Sequence, residues 1–442
     1  MAKQKNWYIG IDVGGTKIQA SLCRECGVVT ESARSSTPRE GTPEETVDCI
    51  LQTIDKVLKE DDKTLKDLAG IGIAVPGVVD CSGNVVGTPN MNLGGVALQQ
   101  ILEQRCQVPV AVGNDGNLGT LGETWLGSGH GSRSSIGIFV GTGIGSGLVF
   151  DGNLLPGACD AAGEIGHMYM QMDGPLCGCG NHGCFEAVAG RLAIERDIRA
   201  ALEGGEPSMI YDLMVQKDGL IRSGMLNQAL RANDPLVTRI VGQAAKVIGR
   251  ACLSVRHLID PQTIILGGGV MESCGWFMMP IIQQQMAKDT LLCSPLKREV
   301  VFSALGDNAV ALGALALVRT KVGRSPFKPE FNILPDYPTL NQSPEGKIEV
   351  KKKSFDLPCY VRVDGKGKQW KQQEGDTIED VLESLTEGGI ETLIVGTADP
   401  ALLSNQSRKY LEERNINLTV QLVEQAILSY NKSNLRRAAL FL

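Results

Sequence analysis

No stretch of this 442-residue chain is apolar for long enough to cross a bilayer, so no membrane partner is expected. Basic residues are not in excess either. Lys and Arg number 43 against 50 Asp and Glu, a net charge of −7, which argues against non-specific binding to nucleic acid or to an anionic surface. The pattern GxxxxGK[ST] is missing and no GxGxxG fits between a strand and a helix, which excludes a Walker-type or Rossmann nucleotide site. The 13 cysteines are odd in number and follow no regular framework, so they read as reduced thiols in a cytoplasmic protein rather than as disulfide staples. Residues 1–8 are polar and lead directly into a strand, so no secretory leader is expected.

Histidine is scarce, with four in the chain, and two of them fall within residues 163–186. That stretch reads Gly163-Glu164-Ile165-Gly166-His167, then Cys177-Gly178-Cys179-Gly180-Asn181-His182-Gly183-Cys184-Phe185-Glu186. Thiolate and imidazole are the ligands zinc prefers, four of them in a closed tetrahedral site. Glycines between the cysteines let the backbone wrap tightly around an ion. Cys177, Cys179 and Cys184 are three candidate ligands. The fourth is His167, from ten residues upstream, or His182, which is constrained inside the Cys179-to-Cys184 loop. Glu164 and Glu186 flank the cluster, as if a structural metal clip held a polar site in shape. Cys23 and Cys26 form a CxxC pair as well, but without a second pair they read as ordinary strand-end thiols.

Around this stretch the pattern is α/β. Residues 7–13 form an apolar strand, followed by Gly14-Gly15-Thr16, a strand at 17–23 and a third at 28–35. Residues 44–59 have helical spacing, with Val47, Ile50, Leu51, Ile54, Val57 and Leu58 on one face. A buried strand at 68–75 ends at Pro76-Gly77, and another at 108–113 delivers Asn114-Asp115-Gly116-Asn117 at its carboxyl end. The strand–glycine–strand device then recurs, with 135–140 leading through Gly141-Thr142-Gly143-Ile144-Gly145-Ser146-Gly147 into 148–150. A strand at 263–266 runs into Gly267-Gly268-Gly269, and long helices are expected at 187–202 and 236–258. Three glycine turns after strands are three places where backbone N–H groups can approach phosphate, and the duplication implies a cleft between two halves.

Pro326, Pro329, Pro335, Pro338 and Pro344 then mark a linker. Strands at 359–363 and 392–396 and helices at 377–385 and 401–414 follow, as a separate α/β module. The expected division is a main unit over 1–323 with its lobes meeting near 120, a linker over 324–346, and a module over 347–442.

Asp12 precedes the first glycine turn, with Thr16 and Lys17 after it. Amides and hydroxyl there can donate to phosphate oxygens while Asp12 faces a metal ion through water. A second such turn, with Thr142, suits a polyphosphate held between two hairpins. Asp115, at a strand end, is placed to accept a proton from a substrate hydroxyl during phosphoryl transfer. The competing reading is a helix cap, a role both Asn and Asp fill well.

Together these motifs resemble the ROK family (repressors, open reading frames and sugar kinases) over roughly residues 6–320. The resemblance implies an α/β, actin-like (ribonuclease H-like) duplicated two-lobed ATPase fold, with ATP and a hexose meeting in the interlobe cleft. It makes Asp115 the catalytic base. It places Asn114, Asp115, Glu164, His167, Glu186 and the Asn92 of Asn92-Leu93-Gly94 on sugar hydroxyls. Asp12, Gly15, Thr16, Lys17, Thr142, Gly143, Gly268 and Gly269 fall on ATP and Mg²⁺, and the motif histidine, His167, joins Cys177, Cys179 and Cys184 on a structural Zn²⁺. Two positions depart from the family. Gly116 stands where Ala is commoner, which is expected to loosen the helix start, and Gly95 replaces a frequent aromatic.

The implied activity is an ATP-dependent hexose kinase, a glucokinase acting on the 6-hydroxyl of glucose in glycolysis. An N-acetylglucosamine or N-acetylmannosamine kinase is the alternative within that class. A sugar-sensing transcriptional regulator without its own DNA-binding domain is the alternative from another class. The early first strand and the acidity weigh against a DNA-binding partner. A homo-oligomer, a dimer, is expected. In the C-terminal module, Glu391-Thr392-Leu393-Ile394-Val395-Gly396-Thr397 and Glu424-Gln425-Ala426-Ile427-Leu428-Ser429-Tyr430-Asn431 resemble the small adipogenesis-associated α/β domain family. That resemblance implies a fold and, as a working expectation, a regulatory or oligomerisation role.

Overall fold

The computed structural model describes residues 6–38, 40–88, 91–215, 219–291, 299–327 and 337–442, the last range without 352, 364, 372–376, 387–389, 391, 400, 401, 413, 415 and 434–436. The chain forms two compact units, Met1–Phe327 and Lys328–Leu442.

In the first unit, β1 (Trp7–Val13), β2 (Lys17–Arg24) and β3 (Val29–Ser36) form an antiparallel meander. Helix α1 (Pro43–Glu60) follows, started by a capping box in which Thr42 and Glu45 satisfy each other's backbone N–H. Of its expected face, Val47, Ile50, Ile54, Val57 and Leu58 are buried and Leu51 is half-buried. Strand β4 (Leu68–Val75) adds parallel to β1, the short β5 (Val78–Val79) and β6 (Val85–Gly87) pair with each other, and α2 (Leu98–Cys106) leads to β7 (Val110–Asn114), parallel to β4. The sheet order is β3-β2-β1-β4-β7. Helix α3 (Asp115–Leu126) then crosses to the second lobe.

That lobe repeats the plan. Strands β8 (Ser134–Val140), β9 (Ile144–Phe150) and β10 (Asn153–Leu154) form a meander, followed by α4 (Phe185–Ala189), α5 (Arg191–Glu203), α6 (Ile210–Val215), α7 (Ser223–Arg231) and α8 (Pro235–Ile259). Strand β11 (Thr263–Gly267), α9 (Gly269–Met286) and β12 (Glu299–Phe302) complete it, and α10 (Ala309–Lys321) returns to pack on the first sheet. Its sheet runs β10-β9-β8-β11-β12, the same order of antiparallel and parallel neighbours as in the first lobe. Each lobe has its own apolar core, and a third cluster joins them through Leu118, Leu121 and Trp125 of α3 and Leu312, Leu315 and Val318 of α10. The first sheet and α10 meet backbone to backbone. A Cβ added at Gly72 would lie 1.9 Å from the Ala314 carbonyl oxygen, so no side chain fits there.

Two local expectations shift. The glycine-rich turn at 141–147 is short, because Ile144 onward already pairs with β8. The single helix expected over 187–202 is broken at Gly190, whose extended backbone (φ −69°, ψ 168°) ends α4 and starts α5. There the Arg191 and Leu192 N–H groups donate to Gly141 and Thr142 carbonyls at 3.0 and 3.2 Å, so the break docks α5 onto the second hairpin.

In the second unit β13 (Leu340–Gln342), β14 (Ile348–Val350) and β15 (Lys353–Phe355) make a small meander. Thus residues 340–342, within the expected linker, are strand; Pro329 and Pro335 lie outside the described residues. Strands β16 (Cys359–Val361) and β17 (Gly367–Gln369), helix α11 (Glu379–Thr386), β18 (Thr392–Gly396), α12 (Asn405–Glu412), β19 (Asn417–Gln421), α13 (Val423–Lys432) and β20 (Arg437–Phe441) follow. They build a mixed sheet, β17-β16-β20-β18-β19, so the unit is α/β. Among the described residues no helix is long and apolar enough to cross a membrane.

Candidate active site

Between the lobes lies a cleft of about 1300 Å³. Asp12, Asn114, Asp115, Thr142, Gly143, Glu164, His167, Glu186 and Gly268 all line it. Asp12 of β1, the second hairpin turn, the carboxyl end of β7 and the carboxyl end of β11 thus open onto one space, as strand ends in open α/β sheets do. Gly15, Thr16, Lys17 and Gly269 are not part of the wall, although Gly269 follows Gly268 and Lys17 reaches Asp307.

Asp115 is the first residue of α3, immediately after β7. The cap role falls to its neighbour: Asn114 Oδ1 accepts from Asn117 N at 3.0 Å, and Asn114 Nδ2 donates to the Gly77 carbonyl at 2.9 Å. This leaves the Asp115 carboxylate to the cleft, with one oxygen accepting from Gly116 N at 2.8 Å. Burial pushes its carboxyl up from 3.8 to about 6; the Gly116 N–H opposes this, while the charges of Asp12 and Glu164 add to it. A carboxylate raised to that value is still mostly ionised at neutral pH and is a better base than an ordinary aspartate. Gly116 does not loosen the helix start. A Cβ there would lie 2.8 Å from the Ser146 carbonyl oxygen, so the glycine lets the first turn of α3 press against β9.

Asp12, near the end of β1, also has its carboxyl raised, first by burial and then by Asp307, against the opposing effect of Lys17. Lys17 Nζ lies 3.9 Å and the Arg34 guanidinium 3.4 Å from Asp307 Oδ2. A partly buried carboxylate with a second one nearby fits a hydrated cation carrying phosphate. In the second hairpin Arg191 donates to the Thr142 hydroxyl at 3.2 Å and to the Ile221 carbonyl at 3.1 Å. Gly268 holds φ +85° at the start of α9, whose N-terminus opens onto the cleft beside Glu272.

The cysteine stretch forms the opposite wall. Sγ of Cys177, Cys179 and Cys184 and a ring nitrogen of His167 all lie within 4.8 Å of one another. Ligands of a tetrahedral zinc stand about 3.6–3.8 Å apart when its bonds are about 2.3 Å to sulfur and about 2.0–2.1 Å to nitrogen. Here Cys179 and Cys184 sulfurs are 3.7 Å apart, and Cys177 Sγ is 3.6 Å from His167 Nδ1. The donor set therefore fits a closed four-ligand metal site. His182 is turned away, with its Nδ1 3.0 Å from the Gly174 carbonyl oxygen, and His167 is the histidine beside the three cysteines. The Asn181 N–H holds the Cys179 thiol down at about 7.

Glu186 joins this wall to the second hairpin. Its Oε2 accepts from Ile144 N at 3.2 Å, and its Oε1 lies 3.1 Å from Cys177 Sγ and 3.9 Å from His167 Nδ1. A Cβ added at Gly143 would fall 2.2 Å from Glu186 Oε2, so the hairpin needs glycine to let the carboxylate in. One expected residue stays apart. Asn92 is exposed, does not line the cleft, and donates to the Gly41 carbonyl. Asp307, Phe139, Arg196 and Glu272 line the cleft without any sequence signal having marked them.

The doubled sheet order, with a cleft between lobes, is that of the actin-like ATPase fold. A family model described as "ROK family" matches residues 8–321, and the chain belongs to that family. It is 31% identical over 315 residues to a glucokinase of Halalkalibacterium halodurans, covering 71% of this chain and 95% of that one. It is also 29% identical over 321 residues to the xylose repressor of Bacillus subtilis, covering 72% and 78% respectively. A crystal structure of a ROK family glucokinase from Streptomyces griseus in complex with glucose and AMPPNP matches with a TM-score of 0.60 at 30% identity, over 71% of this chain and 99% of that one.

Proposed function

We propose that this ROK-family, ATP-dependent sugar kinase transfers a phosphoryl group to the 6-hydroxyl of a hexose, with glucose as its substrate. The observation that carries this reading is the Asp115 carboxylate, free of capping duty and lining a cleft together with Asp12 and the second glycine hairpin. Asp115 would take the hydroxyl proton as the phosphoryl group arrives. Thr16, Lys17, Thr142 and the hairpin amides would balance charge on the phosphates, so positioning and electrostatics supply most of the acceleration. Asp12 would hold Mg²⁺ through water; when bound, that ion neutralises phosphate charge. Glu164, Glu186 and His167 would orient sugar hydroxyls. His167, Cys177, Cys179 and Cys184 would hold zinc with no open position, so the metal shapes the wall and takes no chemical step. Thiol ligands of this kind suit a reducing cytoplasm.

An intact base and two hairpins favour a kinase over a regulator of the repressor type. The test is an ATP-dependent phosphorylation screen over glucose, mannose, fructose, allose, N-acetylglucosamine and N-acetylmannosamine, with the product identified by NMR. Glucose 6-phosphate should form fastest. Faster turnover of an N-acetylated sugar would replace the substrate assignment, and no turnover with any sugar would remove the kinase reading.

A further inference from the structure

Glu123 is fully buried (0% exposed), in the last turn of α3. That is an unfavourable place for a carboxylate, since the helix dipole puts negative charge there. Backbone N–H groups surround it. Ala304 N and Leu305 N donate to Oε1 at 2.9 and 2.8 Å, Ala304 N also reaches Oε2 at 3.1 Å, and Ser128 N donates to Oε2 at 2.9 Å. The cradle is closed by Gly127, where an added Cβ would lie 2.0 Å from Glu123 Oε2. Residues 303–307, suspended from this carboxylate, reach the cleft with Ser303, Gly306 and Asp307, and Asp307 faces Lys17 of the first hairpin and Arg34 of β3. One helix thus carries Asp115 at its start and, at its end, the anchor of the segment that faces the Lys17 ammonium.

From this we infer that Glu123 is a positioning residue for nucleotide binding. Its carboxylate holds residues 303–307 and, through Asp307, sets where Lys17 waits for the ATP phosphates. The inference rests on the kinase reading, in which Lys17 meets phosphate. A glutamine at 123 keeps the shape but turns one acceptor into a donor, so either Ser128 N or Ala304 N faces an N–H group and the segment must shift.

Binding of a non-hydrolysable ATP analogue and of glucose is measured separately by calorimetry on the wild type, Glu123→Gln, Gly127→Ala and Asp307→Ala. Each variant should bind the analogue about tenfold or more weakly, because displacements near 1 Å are costly in such sites. Glucose affinity should stay within about twofold, a change of under half a kcal/mol. Combining Glu123→Gln with Asp307→Ala should add little to the stronger single change, since both act through one segment. Gly127→Ala reaches the same carboxylate from the other side and decides the matter if Glu123→Gln does not fold. Unchanged analogue binding in the folded variants, equal loss of both ligands, or strictly additive losses would overturn the inference alone. A wild type that binds no analogue would overturn the kinase reading and this inference with it.

Discussion

Asp115→Asn should make the protein more stable and nearly inactive at once. In the folded chain burial, Asp12 and Glu164 lift the Asp115 carboxyl from 3.8 to about 6, so the ionised form is disfavoured relative to the unfolded chain. At 1.36 kcal/mol per pH unit, that raised value costs the ionised fold at most about 3 kcal/mol, less any screening by water in the cleft. Asparagine keeps the shape and the oxygen that accepts from Gly116 N, without the charge. The sign follows from linkage. A carboxyl raised in the fold helps stability below the unfolded value of 3.8, and that help is lost as pH rises through about 6. The gain of the variant should therefore be full above about pH 7, shrink between about 6 and 4, and vanish at lower pH. At about 2 °C per kcal/mol, thermal melts at pH 8 should rise by up to about 6 °C, with no rise near pH 3.5. Turnover should drop by about 10²–10⁴-fold through loss of the base, and wild-type kcat/KM should decline below about pH 6 as Asp115 takes up a proton. An Asp115→Asn protein that melts no higher at pH 8 than the wild type, or that turns over normally, refutes the assignment.

Two further outcomes are expected. Gly143→Ala should displace Glu186 from Ile144 N, a charge-assisted bond worth about 1.5–3 kcal/mol, and raise the KM for both sugar and ATP; a normal KM for each would show that the hairpin and the wall move independently. Cys179→Ser should reduce bound zinc in purified protein, by elemental analysis, and lower the melting temperature. Equal metal content in the variant would rule out the four-ligand site.

Contiguous chemistry was legible in the sequence. The two hairpins, the Asn114-Asp115 strand end and the cysteine stretch each announce themselves within a few residues, because glycines and ligand side chains must sit together there. The choice between His167 and His182 needed the fold, which gives His182 the Gly174 carbonyl instead. Helix α10 offers no amphipathic rhythm to read, since Ala311, Leu312, Ala314, Leu315, Ala316 and Val318 are all buried between α3 and the first sheet. The break at Gly190 is set by carbonyls of a hairpin some 50 residues earlier, which no local propensity records. Glu123 and Asp307 acquire meaning only when residue 304 returns to α3. Asn92, expected on a sugar hydroxyl, lies at the surface on Gly41.

The double engagement of Glu186 limits how this enzyme can diversify. One carboxylate is shared by the hairpin that would meet phosphate and by the cysteine wall that would meet sugar. A change there, made to admit a different sugar, would disturb phosphate handling in the same stroke. New substrate preference is therefore to be sought on the facing lobe, around Val78 and Gly87, where a Cβ at Gly87 meets nothing within 4 Å. Selection or engineering has free room there without touching the shared carboxylate.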